Sequence, residues 1–272
     1  MLIAQISDLH IKPKGRLAYQ LVDTAPFLRR CVDRLNALVP RPDVVLATGD
    51  LADAGTPDEY ARLRDLLAPL HAPLYLIPGN HDDREALRAA FPDHRYLPRD
   101  KKFLQYVVDG YPLRLIGLDT LDSGKETGLL CAERLAWLAE ALSADRSKPT
   151  VIFMHHPPFE TGIAFMDSLG LTGREAMARI VADHPQVERI LCGHQHRPVT
   201  VRWAGTVASI APSVAHQVAL QLWDGGGGAF VMEPSACQLL LWKPGSGLIG
   251  HQLYLAGTSG PYPFRNAGRL IS

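Results

Sequence analysis

Five short segments of this 272-residue chain carry side chains that can ligate metal or move protons. They read Asp8-Leu9-His10, Gly49-Asp50, Gly79-Asn80-His81-Asp82, His155-His156-Pro157-Pro158 and Gly193-His194-Gln195-His196. Taken singly, an Asp after a strand or a Gly-Asn pair is ordinary turn chemistry. Taken together, five segments delivering Asp, Asn or His at equivalent positions argue for one shared site. In Asp8-x-His10 and His194-x-His196, residues i and i+2 of an extended segment point to the same side. Imidazole, carboxylate and amide oxygen without thiolate suit Mn, Fe or Zn. Asp8, His10, Asp50, Asn80, His194, His196 and one of the His155-His156 pair make seven donors. That is too many for one first-row ion but natural for two, roughly 3.5–4 Å apart and sharing a carboxylate.

The elements that must position these residues are legible from periodicity. Short apolar runs at Leu2 to Ile6, Val44 to Ala47, Leu74 to Ile77, Leu113 to Leu118, Thr150 to Phe153 and Arg189 to Leu191 read as buried strands. All five motifs follow such runs. Helices are expected at Ala25 to Leu38, stopped by Pro40, and at Pro57 to Leu67, behind a Thr56/Glu59 capping box. Two more are expected at Glu133 to Leu142 and Gly173 to Asp183. The alternation marks an α/β domain whose ligands gather at the carboxyl ends of the strands. Alternation alone points to a simple parallel sheet. After Gly193 strands replace helices, at Val199 to Trp203, Val207 to Ile210, His216 to Leu222, Phe230 to Glu233, Cys237 to Lys243 and Leu248 to Leu255. The Gly225 to Gly228 run reads as a turn, and Gly260 to Ser272 as an arm without regular structure.

In order and spacing, Asp-x-His, Gly-Asp, Gly-Asn-His-Asp, His-His-Pro-Pro and Gly-His-Gln-His resemble the calcineurin-like metallophosphoesterase superfamily. The likeness runs from Asp8 to His196 and is nearest to bacterial glycerophosphodiesterases and class III cyclic-nucleotide phosphodiesterases. The phrases Pro73 to Asp83 and Phe153 to Pro158 resemble the first of these branches. The resemblance implies an α/β sandwich: two packed mixed sheets flanked by helices in four layers, with a β-rich C-terminal extension. It divides the chain into a catalytic core over 1–200 and a part over 201–272 that completes the second sheet and forms a cap or oligomer arm. It implies two divalent ions, Mn, Fe, Zn or Co. Asp8, His10 and His196 would hold the first and Asn80, His155 and His194 the second, with Asp50 bridging. His155 is chosen over its neighbour because the family's ligand is the first His of that pair, which leaves His156 beside the metals. The reaction implied is attack of metal-activated hydroxide on a small phosphodiester, glycerophosphodiesters first and 3',5'-cyclic nucleotides second. His81 follows Asn80 and is expected over the phosphate, stabilising charge or protonating the leaving alkoxide. His216 resembles a position lining the substrate cleft; the competing reading is an ordinary strand histidine. Asp82 and Asp83 read as complements to a helix dipole, Asp53 and Asp119 as loop or supporting residues, and Cys192 as core.

Composition narrows the alternatives. Lys and Arg number 28 and Asp and Glu 28, so the net charge is zero. Nucleic-acid binders carry a basic excess or stripe, which speaks against a nuclease of the same superfamily. A binding scaffold would be expected to have lost ligands, whereas every position holds a suitable donor. A phosphomonoesterase acting on nucleotides or small metabolites stays open. Cys31, Cys131, Cys192 and Cys237 form no Cys-x-x-Cys pair, which argues against a disulfide framework or a cysteine zinc site. The N-terminal residues lack a basic n-region and a long apolar run, and no apolar stretch is long enough to span a bilayer, so a cytoplasmic chain is expected. The Gly- and Pro-rich tail beside an exposed sheet edge favours a homo-oligomer. Loops over 12–23, 120–130 and 160–172 are expected to set substrate choice.

Overall fold

The computed structural model describes residues 1–223, 225–257, 259–266, 269 and 270. Its first part runs β1 (Leu2–Ile6), α1 (Ala25–Asn36), β2 (Val44–Thr48), α2 (Pro57–Leu67), β3 (Leu74–Ile77) and α3 (Arg84–Ala90). β4 (Tyr106–Val108), β5 (Arg114–Leu118), β6 (Gly128–Leu129), α4 (Ala132–Ser143) and β7 (Thr150–Met154) follow. Next come α5 (Ala164–Asp167), β8 (Leu171–Thr172), α6 (Arg174–Ala182) and β9 (Val187–Cys192). The remainder is strand: β10 (Val199–Trp203), β11 (Thr206–Ile210), β12 (Gln217–Val218), β13 (Phe230–Val231), β14 (Ala236–Lys243), β15 (Gly247–Tyr254), β16 (Arg265–Asn266) and β17 (Arg269–Leu270).

Two mixed sheets form the centre, so the single parallel sheet suggested by alternation is corrected. One has the order β15-β14-β1-β2-β3 and the other β10-β11-β9-β7-β5-β4. Parallel pairs lie inside each sheet; antiparallel strands close three of the four edges, and β3 is a parallel edge. β2 packs on β7 and β3 on β5, so the sheets meet face to face. β2, β5 and β7 are buried at every residue, as strands covered on both faces must be. The last part of the chain enters both sheets: β10 and β11 extend one, and β14 and β15 extend the other.

The helices follow from their apolar periods. α1 buries Ala25, Leu28, Cys31, Val32 and Leu35, one stripe of a 3.6-residue period, with Pro26 in its first turn. It ends short of Leu38. At α2 the Thr56 hydroxyl accepts from Glu59 N at 3.4 Å, and the Glu59 carboxylate accepts from Thr56 N at 3.1 Å. α1 packs on α2, α2 on α3, and α4 on α6 and β5. Two expectations fail in the C-terminal part. His216 to Leu222 shrinks to the two-residue β12, and the tail contains the β16–β17 pair instead of lacking regular structure. Residues 267, 268, 271 and 272 of that tail lie outside the described residues. Cys31, Cys192 and Cys237 are buried, and all four thiols are free.

Candidate active site

The five motif segments meet where β1, β2 and β3 of one sheet and β7 and β9 of the other end. Asp8, His10, Asp50, His194 and His196 have positive φ, at 54°, 43°, 49°, 72° and 53°. This left-handed region costs a side-chain-bearing residue on the order of 1–3 kcal/mol, and such residues cluster at functional sites. The glycines between them allow close approach. A Cβ on Gly79 would lie 2.2 Å from Asp50 Oδ1 and 2.3 Å from Asp50 N.

Each of four histidines has one ring nitrogen tied down and the other turned into the cluster. His10 Nδ1–H donates to Asp53 Oδ1 at 3.1 Å, and His155 Nδ1–H to Thr48 O at 2.8 Å. His194 Nε2–H donates to Leu169 O at 3.2 Å, and His196 Nδ1–H to the His216 carbonyl at 3.1 Å. With an N–H given to each of these acceptors, the opposite ring nitrogen of each histidine is left facing the cluster. Those opposite nitrogens converge. Nε2 of His10 and Nε2 of His196 are 3.2 Å apart, with Asp50 Oδ2 3.6 Å from His10 and Asp8 Oδ1 3.5 Å from His196. On the other side, Asn80 Oδ1 lies 3.0 Å from His155 Nε2 and 3.1 Å from His194 Nδ1. Asp50 Oδ2 lies 3.3 Å from His155 Nε2, so this carboxylate faces both groups.

The donor chemistry fits divalent metal ions. Asp8, His10, Asp50 and His196 bring ligand atoms within 4.8 Å of one another, all from buried residues. Asp8 Oδ2 is buried without a hydrogen-bond partner, an orphaned carboxylate oxygen that a cation would satisfy. Burial lowers the pKa of His196 to about 4 and of His194 to about 3, keeping both neutral, the form that coordinates metal. Burial also opposes charge on His155, but the carboxylates of Asp50 and Asp8 and the Thr48 carbonyl outweigh it and push this group up to about 9.

Supporting residues surround this centre. Asp53 accepts from His10 through one oxygen and from Lys12 Nζ at 2.8 Å through the other, while its carbonyl accepts from His81 Nδ1–H at 2.7 Å. Burial lowers the pKa of His81, yet Asp50, the Asp53 carbonyl and the Asp53 and Asp82 carboxylates outweigh it and leave it raised. His81 lines the cleft with its Nε2 side untied. His156 is held by Thr120 Oγ1 at 2.8 Å and the Glu126 carbonyl at 3.2 Å, and its ring packs 4.6 Å from that of His194. His216 is 1% exposed and lines the cleft with both ring nitrogens unpartnered, 4.7 Å ring to ring from His196. Asp83 caps α3 by accepting from Ala86 N, as its place at a helix start implies. Asp82 is different. It is buried and accepts from Leu51 N, Ala52 N, Gly79 N and the Tyr60 hydroxyl, tying two motif loops together. Asp119 pairs with Arg84 at 2.6 Å.

The cleft above the cluster encloses about 440 Å³. Tyr19, Glu126, Phe165 and Met166 line it, from the three loops expected to govern substrate choice, although none of the four was singled out by residue type. Val218, Ala229 and Phe230, from β12, β13 and the connection between them, complete it; nothing in their periodicity pointed to a cleft.

Residues 1–198 match the calcineurin-like phosphoesterase family. Over 273 positions the chain is 41% identical to a probable glycerophosphodiester phosphodiesterase of Arcobacter nitrofigilis, covering 100% of both proteins. It is 38% identical to a probable cyclic nucleotide phosphodiesterase of Rhodopseudomonas palustris, covering 80% of this chain and 79% of that one. In fold it is similar to a dimetal phosphatase from Danio rerio, with a TM-score of 0.61 at 15% identity, covering 94% of this chain and 99% of that one. With the ring nitrogens of its histidines gathered around a shared carboxylate, and with this match along most of its length, the chain belongs to the calcineurin-like phosphoesterase family.

Proposed function

We propose that this protein hydrolyses small phosphodiesters with two divalent metal ions, and that glycerophosphodiesters are its first substrates. The observation that carries the reading is the convergence of donors: four histidines each turn one ring nitrogen to one of two neighbouring points, and Asp50 faces both. Full-length similarity to a probable glycerophosphodiester phosphodiesterase supports the substrate class. Asp8, His10, Asp50 and His196 would hold one ion, and Asp50, Asn80, His155 and His194 the other. When bound, such a pair supplies a water acidified to near neutrality and neutralises phosphoryl charge.

The chain's own residues do the rest. Asp53 holds His10 in orientation, as His216 O does for His196 and Thr48 O for His155. His81, anchored at Nδ1 by the Asp53 carbonyl and drawn toward its protonated form by the surrounding carboxylates, would offer Nε2–H to the phosphoryl group or to the departing alkoxide. Asn80 and His216 contact the substrate in this reading. Mn, Fe, Zn and Co all suit the donors, and metal supply decides among them. The reading includes self-association, supported by exposed Leu220, Leu222, Trp223 and Tyr262, and a cytoplasmic setting, supported by four free thiols.

The test is turnover by metal-stripped protein reconstituted with Mn, Zn, Fe or Co. Bis-p-nitrophenyl phosphate, p-nitrophenyl phosphate, glycerophosphoethanolamine and cyclic AMP are compared in parallel. Activity returning at two metals per chain with preference for the diesters supports the reading. A preference for the monoester makes the protein a phosphatase, and no turnover with both sites filled makes it a scaffold.

A further inference from the structure

A separate cavity lies at the lateral seam of the sandwich. It encloses about 310 Å³ between β9, β10 and β11 of one sheet and β14 and β15 of the other, and no residue of the histidine and carboxylate cluster lines it. Arg189 and Gln238 line it half-buried, with Thr200 and Gly250 at its exposed margin. Strand register explains why these residues meet. Arg189 and Leu191 are i and i+2 on β9 and share a face. Leu191 is paired with Ser209 on β11, and Ser209 with Thr200 on β10, so all four belong to that face. It looks onto β14, where Ser209 Oγ donates to Gln238 Oε1 at 3.4 Å.

The donors here exceed their acceptors. Arg189 Nη2 donates to Leu248 O at 3.1 Å, but its Nε is buried with no partner, and the guanidinium forms no ion pair among the described residues. Burial draws its pKa below the ordinary value, and Glu188, its neighbour on the strand, offsets only part of that. Gln238 uses its oxygen on Ser209, which leaves its Nε2 with no acceptor among the described residues. Gly250 keeps the space open. A Cβ there would lie 3.6 Å from Gln238 Nε2 and 3.9 Å from Arg189 Nη1, so the two donors flank one point. No Asp or Glu lines the cavity. A half-buried guanidinium with unfilled donor positions is unfavourable, and an anion in hydrogen-bonding reach relieves it.

We propose that this cavity binds a small tetrahedral oxyanion, the phosphate group of inorganic phosphate or of a small phosphomonoester. Arg189 supplies the charge, and Gln238 Nε2 and the Thr200 hydroxyl supply further hydrogen bonds. Donors arriving from three strands match oxygens that point in several directions, whereas a planar carboxylate is served by the guanidinium alone. The volume leaves room for a short organic group beside the phosphate. The assignment stands apart from the diesterase reading and involves none of the residues used there.

The test is equilibrium dialysis of radiolabelled inorganic phosphate against Zn-loaded full-length protein, with Arg189→Gln and Gly250→Leu beside the original chain. Metal content and urea melts check that each variant keeps its fold and its ions. The original chain is expected to bind one phosphate per chain more than either variant; phosphate held by the metal centre is common to all three. Arg189→Gln weakens the additional binding by about 10–100-fold, and Arg189→Lys weakens it less because the charge stays while the fork is lost. Gly250→Leu fills the cavity with Arg189 unchanged. Its Cβ meets only ordinary contacts, so it decides the matter even where Arg189→Gln unfolds. Displacement of the label by glycerol 3-phosphate at lower concentration than by unlabelled phosphate supports the site with an ester as its ligand, and the reverse order supports it with free phosphate. Displacement by acetate as readily as by phosphate overturns the tetrahedral assignment. Binding by the original chain no greater than by folded Gly250→Leu overturns the site altogether.

Discussion

Asp53→Asn isolates one interaction of the site with little change of shape. The Asp53 side chain is 17% exposed and spans His10 Nδ1 at 3.1 Å and Lys12 Nζ at 2.8 Å. The backbone carbonyl that accepts from His81 is kept by the substitution. What goes is the negative charge that orients His10 and raises the basicity of its Nε2. A hydrogen bond to a charged group is worth about 1.5–3 kcal/mol, which corresponds to roughly 10–150-fold in a binding constant. Loss of a carboxylate behind a metal-binding histidine ordinarily costs about 10–100-fold in affinity or activity. The asparagine amide can still meet the ring, so the lower half of that range is expected, about 10–30-fold. Stripped protein is titrated with Zn or Mn against a competing chelator, and metal content is read alongside. The loss should fall on one of the two ions, the one near His10, and leave the one near Asn80, His155 and His194. Equal affinity at both sites before and after substitution, within threefold, would refute the reasoning.

Three further outcomes follow from the same geometry. Gly79→Ala places a methyl group against the backbone nitrogen and carboxylate of Asp50, and should cost more than about 2 kcal/mol of stability together with metal content; an unchanged melting temperature would contradict the close approach. His81→Ala should lower kcat/KM on diesters by about 10²–10⁴ at full metal occupancy, checked by metal analysis beside the kinetics. The stability of metal-stripped protein should depend on Asp53 in a pH-specific way. Burial opposes ionisation of Asp53, but His10 and Lys12 outweigh it and hold its carboxyl below the ordinary value of 3.8. A carboxyl with a lower pKa when folded binds fewer protons in the fold, so its stabilisation is complete above that value and fades as the pH falls below it. In urea melts the stability difference between the original chain and Asp53→Asn should shrink from pH 6 to pH 3, and a constant difference counts against the ion pair.

The motifs were readable because each needs special backbone as well as special side chains. Gly49, Gly79 and Gly193 stand directly before Asp50, Asn80 and His194, so composition marked the loop ends that the fold brings together. Strand positions were readable because runs such as Val44–Thr48 are buried on both faces. How those strands divide between two sheets was not, since a parallel strand buried on both sides has the same composition in either sheet. α3 was legible only by its start, marked by Asp82 and Asp83, because seven residues are too few for an apolar period to give its bounds. β6, β8 and β12 have two residues each, below the length at which alternation can be seen. The cleft walls were legible only as loops: Tyr19, Glu126 and Phe165 are ordinary residues until three distant segments place them around one volume.

The division of donors between the sheets has a mechanical consequence. Asp8, His10, Asp50 and Asn80 are carried by strand ends of one sheet, and His155, His194 and His196 by strand ends of the other. An ion held by members of both groups is a rivet through the sandwich, joining segments up to 188 residues apart as a disulfide would, in a chain whose thiols are all free. Sliding of one sheet over the other would pull the donors apart. Occupancy of the site and the register of the two layers are therefore one coordinate, and metal loading should raise the resistance of the whole sandwich to shear and not merely tighten the loops around the cleft.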